Sequence, residues 1–566
     1  MKTVNKFLLS LATGALLLSS NGCTDDFENI NSNVETIYEV EPERMIYNVQ
    51  TNTRSSSWEW YYDYYISQMR WMQYGNRIIG NTSTTFTYLN NNVFEQRYRL
   101  CFLNSGSYAR HLEYYVNSVV PESERARYSN VVEAAKVTLI YQGIFTSDTH
   151  GSLAYTEGWS LRSGKTITEP SFDTQQELYD IWDGELKTAI QKFKANTNQV
   201  SMAGYDMAYN GDISKWIKAA NGLRLRIALR LMKRDITKAK AIATEVLANS
   251  ADLPSSIDDS FVFWLDNKYS NNGDYFAVND LIRASKSFMD YLNKYNDPRR
   301  SMFFRINNLT AENVAEWNAA NPGDQISTSY GRWIGGTSSY DKLNADAAEN
   351  AKYTRRTLDP TGRAINMQPV NWPQTRIFAG AYDGGSGGTW FPNVTYADFC
   401  FMAAEFVLNG VASDKTAEQW YTNGVRGSLL LWNKVGDFCK IHNYQAMTTQ
   451  EIEDFMNQTD IKWDPARGLE QIYAQTYVEH FKNSNESWAL YKRTGYPSTT
   501  SSIITREECT VSQVVQQVPR RMRFSYPMPG SVNYNNQVSR LDEMKADPDF
   551  GDPVSEFGRV WWDKSN

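Results

Sequence analysis

Histidine, cysteine and long apolar runs are scarce in this 566-residue chain, and each shortage removes a class of function. There are four histidines, His111, His150, His442 and His480, with no HxxxH or HxH pair. The five cysteines, Cys23, Cys101, Cys400, Cys439 and Cys509, include no CxxC. Zinc sites commonly draw ligands from such pairs, so the spacing does not point to a metal and none is expected. The stretch from Asp266 to Asp274, DNKYSNNGD, sets oxygen ligands beside a glycine but outside the D-x-[DN]-x-[DN]-G register, which makes it a loop rather than a calcium site. Neither a GxSxG elbow nor a phosphate-binding P-loop occurs, and no cofactor is implied. A formal net charge of −7 offers no basic surface for nucleic acid. Apart from Phe7–Leu18 the apolar runs are short, and none reaches the length of a membrane-spanning helix.

What is present begins at the N-terminus. MKTVNKFLLSLATGALLLSSNGCTDDFE carries Lys2 and Lys6, then a short apolar stretch, then Ser20-Asn21-Gly22 before Cys23. This resembles a bacterial lipoprotein signal, with Asn21 a loose fit to its pattern; the alternative is an ordinary secretory leader with an incidental cysteine. The resemblance implies cleavage before Cys23, acylation of that cysteine, a leader over 1–22 and a lipidated tether over 23–57. More than one acyl chain gives stable membrane attachment. The acidic Asp25-Asp26 run resembles the signal that sends lipoproteins of Bacteroidetes to the cell surface. Cys101, Cys400, Cys439 and Cys509 then remain, as one disulfide or as buried thiols.

Aromatic residues are abundant, with 17 Trp, 35 Tyr and 25 Phe. Most must fill the core, but Trp and Tyr also build platforms on which sugar rings stack. The segment WEWYYDYYISQMRWMQY, residues 58–74, holds eight Trp or Tyr, more than one buried stripe takes up, so part of it is expected to face a partner or ligand.

Helical spacing of apolar residues predicts helices over Ser129–Phe145, Thr174–Phe193, Ile213–Leu231, Tyr396–Leu408, Ala417–Trp432 and Glu470–Tyr491. Asp173 with Gln176 marks a helix start. Pairs joined by short links suit a stack of helix hairpins, without a clean 34-residue repeat. Residues 305–395 differ, being rich in Gly, Asn, Ser and Thr around GRWIGG and YDGGSGGTWF. A long irregular stretch of this kind is expected to be functional.

Seven segments in order resemble the SusD/RagB family, in its SusD-like branch. They are YQGIFTSDTHGSLAY from Tyr141, PSFDTQQELYDIWDGEL from Pro170, GDISKWIKAANGLRLRIALR from Gly211, ASKSFMDYLNKYNDPRRSMFF from Ala284, the Tyr396–Gly410 helix, Gln475–Pro497 ending RTGYP, and PRRMRFSYPMPGSVNYNN from Pro519. Ala154 stands where the family usually has proline. Most of these motifs are structural. Pro298 ends a helix, and Arg224, Arg226 and Arg493 are expected to grip buried carboxylates or carbonyls.

The resemblance implies an all-α body over 58–566, built of four degenerate tetratricopeptide-like helix pairs with a loop-rich ligand-binding region. It implies a non-enzymatic surface lipoprotein of the outer membrane that captures oligosaccharide as the lid of a SusC-like TonB-dependent transporter. In some branches the ligand is a peptide. A surface glycosidase is the distant alternative, since a catalytic carboxylate pair leaves no sequence spacing. Platform candidates are Trp71, Tyr74, Trp264, Trp333, Tyr382 and Trp390, with no catalytic residue assigned.

Overall fold

The computed structural model describes residues 40–53, 57–77, 82–88, 95–266, 277–327, 329, 331–353, 355–359 and 361–565. The leader, Cys23, residues 23–39 of the tether and positions 267–274 of the Asp266–Asp274 loop lie outside the described residues.

The protein is mostly helical, with tetratricopeptide-like helix pairs. The helices used below are α1 (Pro42–Thr51), α2 (Gly106–Ser118), α3 (Ser129–His150), α4 (Gln175–Ala195), α5 (Ile213–Leu231), α6 (Ile236–Leu247), α7 (Lys286–Lys294), α8 (Tyr396–Leu408), α9 (Ala417–Phe438), α10 (Thr449–Met456), α11 (Gly468–Glu479), α12 (Ser484–Thr494) and α13 (Tyr534–Lys545). Consecutive members pack as neighbours, α3 on α4, α4 on α5, α5 on α6 and α8 on α9, while α5 and α8 join the two halves.

Side-chain caps set where these helices begin. Thr174 and Glu177 close a capping box on α4, one residue later than the predicted Asp173 start. Asp173 instead accepts from the Thr156 backbone and hydroxyl at 2.8 and 2.7 Å. Thr395 with Asp398 and Thr416 with Gln419 do the same for α8 and α9. The expected helix over 470–491 is two. It breaks at a 3-10 turn, His480–Lys482, where the chain turns both His480 and Lys482 into the interior. Part of the expected tether is also body: α1 packs on α2 and α3 and buries Ile46 and Val49.

Most of the segment 58–74 is core, and its open part is Trp58 with half-buried Tyr61 and Tyr62. It winds as a π-helix over Trp60–Gln68 and buries Trp60, Tyr64 and Tyr65. Only Trp58, stacked on Tyr62 at 5.7 Å, is exposed.

Strands are few and come in antiparallel pairs. The pair that matters is β1 (Phe261–Leu265) with β2 (Thr389–Val394), which sets Trp264 opposite Trp390. Residues 305–395 carry a core of their own, in which Leu309, Val314, Trp317, Ile326, Ile365 and Met367 pack together. Among the described residues Cys101, Cys400, Cys439 and Cys509 are buried free thiols, and no helix is long and apolar enough to cross a membrane.

Candidate functional site

The most conspicuous polar cluster in the chain is structural. In the helix interior Arg230 grips Asp148 through two hydrogen bonds, 3.1 and 2.9 Å, and reaches Glu486 at 2.9 Å. Arg493 forks onto Glu405, and Arg224 meets Asp183 at 2.7 Å. Arg226 donates to the Asn393 carbonyl at 2.6 Å. These arginines therefore hold buried carboxylates and carbonyls, as the motifs suggested. Arg299 joins them, buried on Asp297, Ser428 and Gln475.

The same interior holds two carboxylates driven apart. His480 holds Asp398, at 2.6 Å, below the usual carboxylate range, whereas burial and the Asp398 charge push Glu479 up to about 7. Such a split is what acid–base chemistry uses. Here it has no substrate space, because the adjoining cavity of about 30 Å³ holds about one water. Glu479 is instead consumed by Thr395, Ser428 and Trp432, which donate to it at 2.7, 2.5 and 3.1 Å.

Three of the six candidate rings are core, which corrects their assignment. Trp71 is 1 % exposed and packs on Trp488. Tyr74 is fully buried, stacked at 4.5 Å on Tyr477, with its hydroxyl bonded to the Tyr477 carbonyl and Ser487. Trp390 is 1 % exposed. A ring without an open face cannot stack a ligand.

The other three, Trp264, Trp333 and Tyr382, are half-buried against the main core, and a chain of contacts, called the band below, links the segments that carry them. At one end Trp264 uses Trp390 as its backing, with centroids 5.9 Å apart and planes at 22°. Phe438, at the end of α9, meets its edge at 4.9 Å, and the Lys434 ammonium, bonded to Asp258, lies 5.2 Å from its centre.

The glycine-rich loop follows. Gly388 donates to the Phe438 carbonyl at 3.1 Å. Arg376 fastens the loop by donating to the carbonyls of Tyr382, Asp383 and Lys440 at 3.2, 2.9 and 2.8 Å. Asp383 sits in the left-handed region, φ 54°, a strained position for a non-glycine residue. His442 is 3.6 Å from it, and burial beside Arg305 and Arg376 lowers the imidazole to about 4, so it is neutral at pH 7. Gln374 donates to the carbonyls of His442 and Ser301 at 3.2 and 2.9 Å and carries the band to Trp333.

Trp333 and Arg300, whose guanidinium lies 4.9 Å over the indole, line a cavity of about 170 Å³ with Asn296, Glu451, Asp454 and Gln458. The band thus alternates ring faces with amide, carboxylate and guanidinium groups, the mixture that matches the apolar faces and equatorial hydroxyls of a sugar.

Lys482 supports the band from below. Its ammonium donates to the carbonyls of Ile377 and Trp390 and to the Thr389 hydroxyl, and lies within 4.9–5.7 Å of the Trp60, Phe378, Trp390 and Phe391 ring centres. With no carboxylate beside it, burial lowers its pKa to about 7.

Phe438, Arg300, Arg376, His442 and Lys482 were missed by sequence reasoning, since they sit on helices or in short links with no glycine-flanked signal. Among the described residues no three His, Cys, Asp or Glu side chains group as a metal site.

Comparisons with known proteins agree on one fold. A SusD-like family model, described as starch-binding and associating with the outer membrane, matches residues 35–527. A solved chitin-binding protein superposes with a TM-score of 0.69 at 19 % identity, covering 93 % of this chain and 100 % of its own. A chitin-binding SusD homologue from Flavobacterium johnsoniae gives 0.61 at 19 %, covering 92 % and 98 %. A SusD homologue from Bacteroides fragilis gives 0.65 at 18 %, covering 93 % and 100 %. No curated protein matches the sequence.

Proposed function

We infer the function from one premise: the chain belongs to the SusD-like family, described as starch-binding and associating with the outer membrane. A carbohydrate ligand and an outer-membrane setting come with that membership. We propose further that this protein captures oligosaccharide on the band from Trp264 to Trp333 without cleaving it. In this reading it hangs from the outer face by a lipid on Cys23 and serves as lid to a SusC-like TonB-dependent transporter.

The observation that carries the reading is the band itself. Half-buried rings at Trp264, Phe438, Tyr382 and Trp333 are interleaved with fixed polar groups on backbone that Arg376 and Lys482 tie down. Rigid, preorganised rings lose little entropy when a flexible glycan settles on them. The chitin-binding similarity of two structural neighbours supports an oligosaccharide as the ligand class.

Affinity electrophoresis and calorimetry against a polysaccharide panel that includes starch and chitin oligosaccharides test it. Saturable binding without release of reducing ends is expected. Silence across the panel, with capture from a peptide library, would assign the site to oligopeptides. Co-purification in mild detergent tests the transporter partnership.

A further inference from the structure

A second cavity, of about 460 Å³, shares no residue with the band. It opens where the end of α3, residues 98–103, the 522–527 segment and α13 meet. Its volume lies within the range usual for small-molecule sites, about 300–1,000 Å³.

The walls are apolar, from Tyr98, Phe102, Phe172, Phe524 and Leu541, with Tyr98 and Phe102 stacked at 4.5 Å. The charges are of one sign. Arg540 is held between two rings, its guanidinium 4.9 Å from the Phe172 centre and 5.0 Å from that of Phe524. It donates to the His150 carbonyl, and its Nε has no partner. Exposed Arg99 stands at the mouth and forms no ion pair among the described residues. No carboxylate lines the cavity. Glu543, the nearest on α13, accepts from Ser152 at 2.7 Å and makes no ion pair with Arg540. His150 adds no charge, because burial beside Arg540 lowers it to about 3.

A guanidinium set in apolar walls, with Glu543 near enough to feel its charge but not paired to it, is incompletely compensated, and an anion arriving with its own apolar body relieves that cost. We propose that this cavity is a second binding site, for a small amphipathic anion with an acyl or aryl body and a single carboxylate. The apolar rings take the body, and the Arg540 guanidinium takes the charge through charge-assisted N–H bonds. A polypeptide side chain is the competing occupant, and the placement of the cation inside the cavity rather than on a rim favours the free anion.

The test uses the full chain and the fluorescent anion 1-anilinonaphthalene-8-sulfonate, displaced by octanoate or by octanol. Octanoate is expected to compete about tenfold better than octanol, since only it forms the charge-assisted bonds. Arg540→Gln should erase that preference. Gln537→Trp, which fills the cavity from the half-buried face of α13, should remove probe binding and keeps the test decisive if the arginine variant fails to fold. Glycan binding should persist in both variants, so failure here is distinguishable from failure of the proposed function. Equal competition by octanol, or unchanged probe binding in folded Gln537→Trp, overturns the proposal.

Discussion

At the scale of single residues, burial decides which rings act. Trp264→Ala and Trp333→Ala should each weaken glycan binding by about 1–2 kcal/mol, roughly five- to thirtyfold, with the melting temperature almost unchanged. Trp390→Ala should instead cost about 3–5 kcal/mol of stability, measured by denaturant unfolding, because it empties the wall behind Trp264. Lys482 makes a pH prediction. Its folded pKa, about 7, lies below the free-lysine value of 10.5, so above pH 7 the unfolded chain binds more protons than the native one. Its contribution to stability therefore rises with pH across that window. Melts at pH 7 and pH 9.5 should show the native protein gaining on Lys482→Met; a constant difference would refute this. The sequence motifs located the structural arginines, since a guanidinium in an apolar helix must find an acceptor. They could not tell Trp264 from Trp390, because only pairing of two distant strands puts one ring in front of the other.

Among the elements, helices were the legible part. Period and caps place α5 and α8 at their predicted bounds, Ile213–Leu231 and Tyr396–Leu408. The break between α11 and α12 was hidden, because nothing local announces that His480 and Lys482 point inward. The glycine-rich loop was visible as composition, but its docking was not. An added Cβ on Gly387 would come within 2.2 Å of the Cys439 main chain, just past the end of α9. Gly387→Ala should force backbone apart, lower stability by about 1–3 kcal/mol in chemical denaturation, and weaken glycan binding as Tyr382 shifts. Unchanged affinity would place Tyr382 outside the site.

For the molecule as a whole, the two ends do different work. The C-terminal segment straps the helix stack: Arg520 pairs with Asp563 at 2.5 Å, Trp562 is fully buried, and the Arg230 guanidinium lies 5.1 Å from its ring. Trp562→Ala should cost about 3–5 kcal/mol in unfolding experiments. At the other end, Cys23→Ala should release the protein from the membrane fraction without changing its affinity for glycan, and retention of the variant in washed membranes would argue against the lipid anchor. Lys482 fastens both roots of the glycine-rich loop, at Ile377 and at Trp390, to a single point on the helical frame. Between those roots Gly387 and Gly388 are packed against the end of α9, and the tip at Asp383 and Gly384 stands exposed. Substitutions confined to that exposed tip can change what is recognised at little expense to the scaffold, whereas the packed glycines beside it tolerate no side chain.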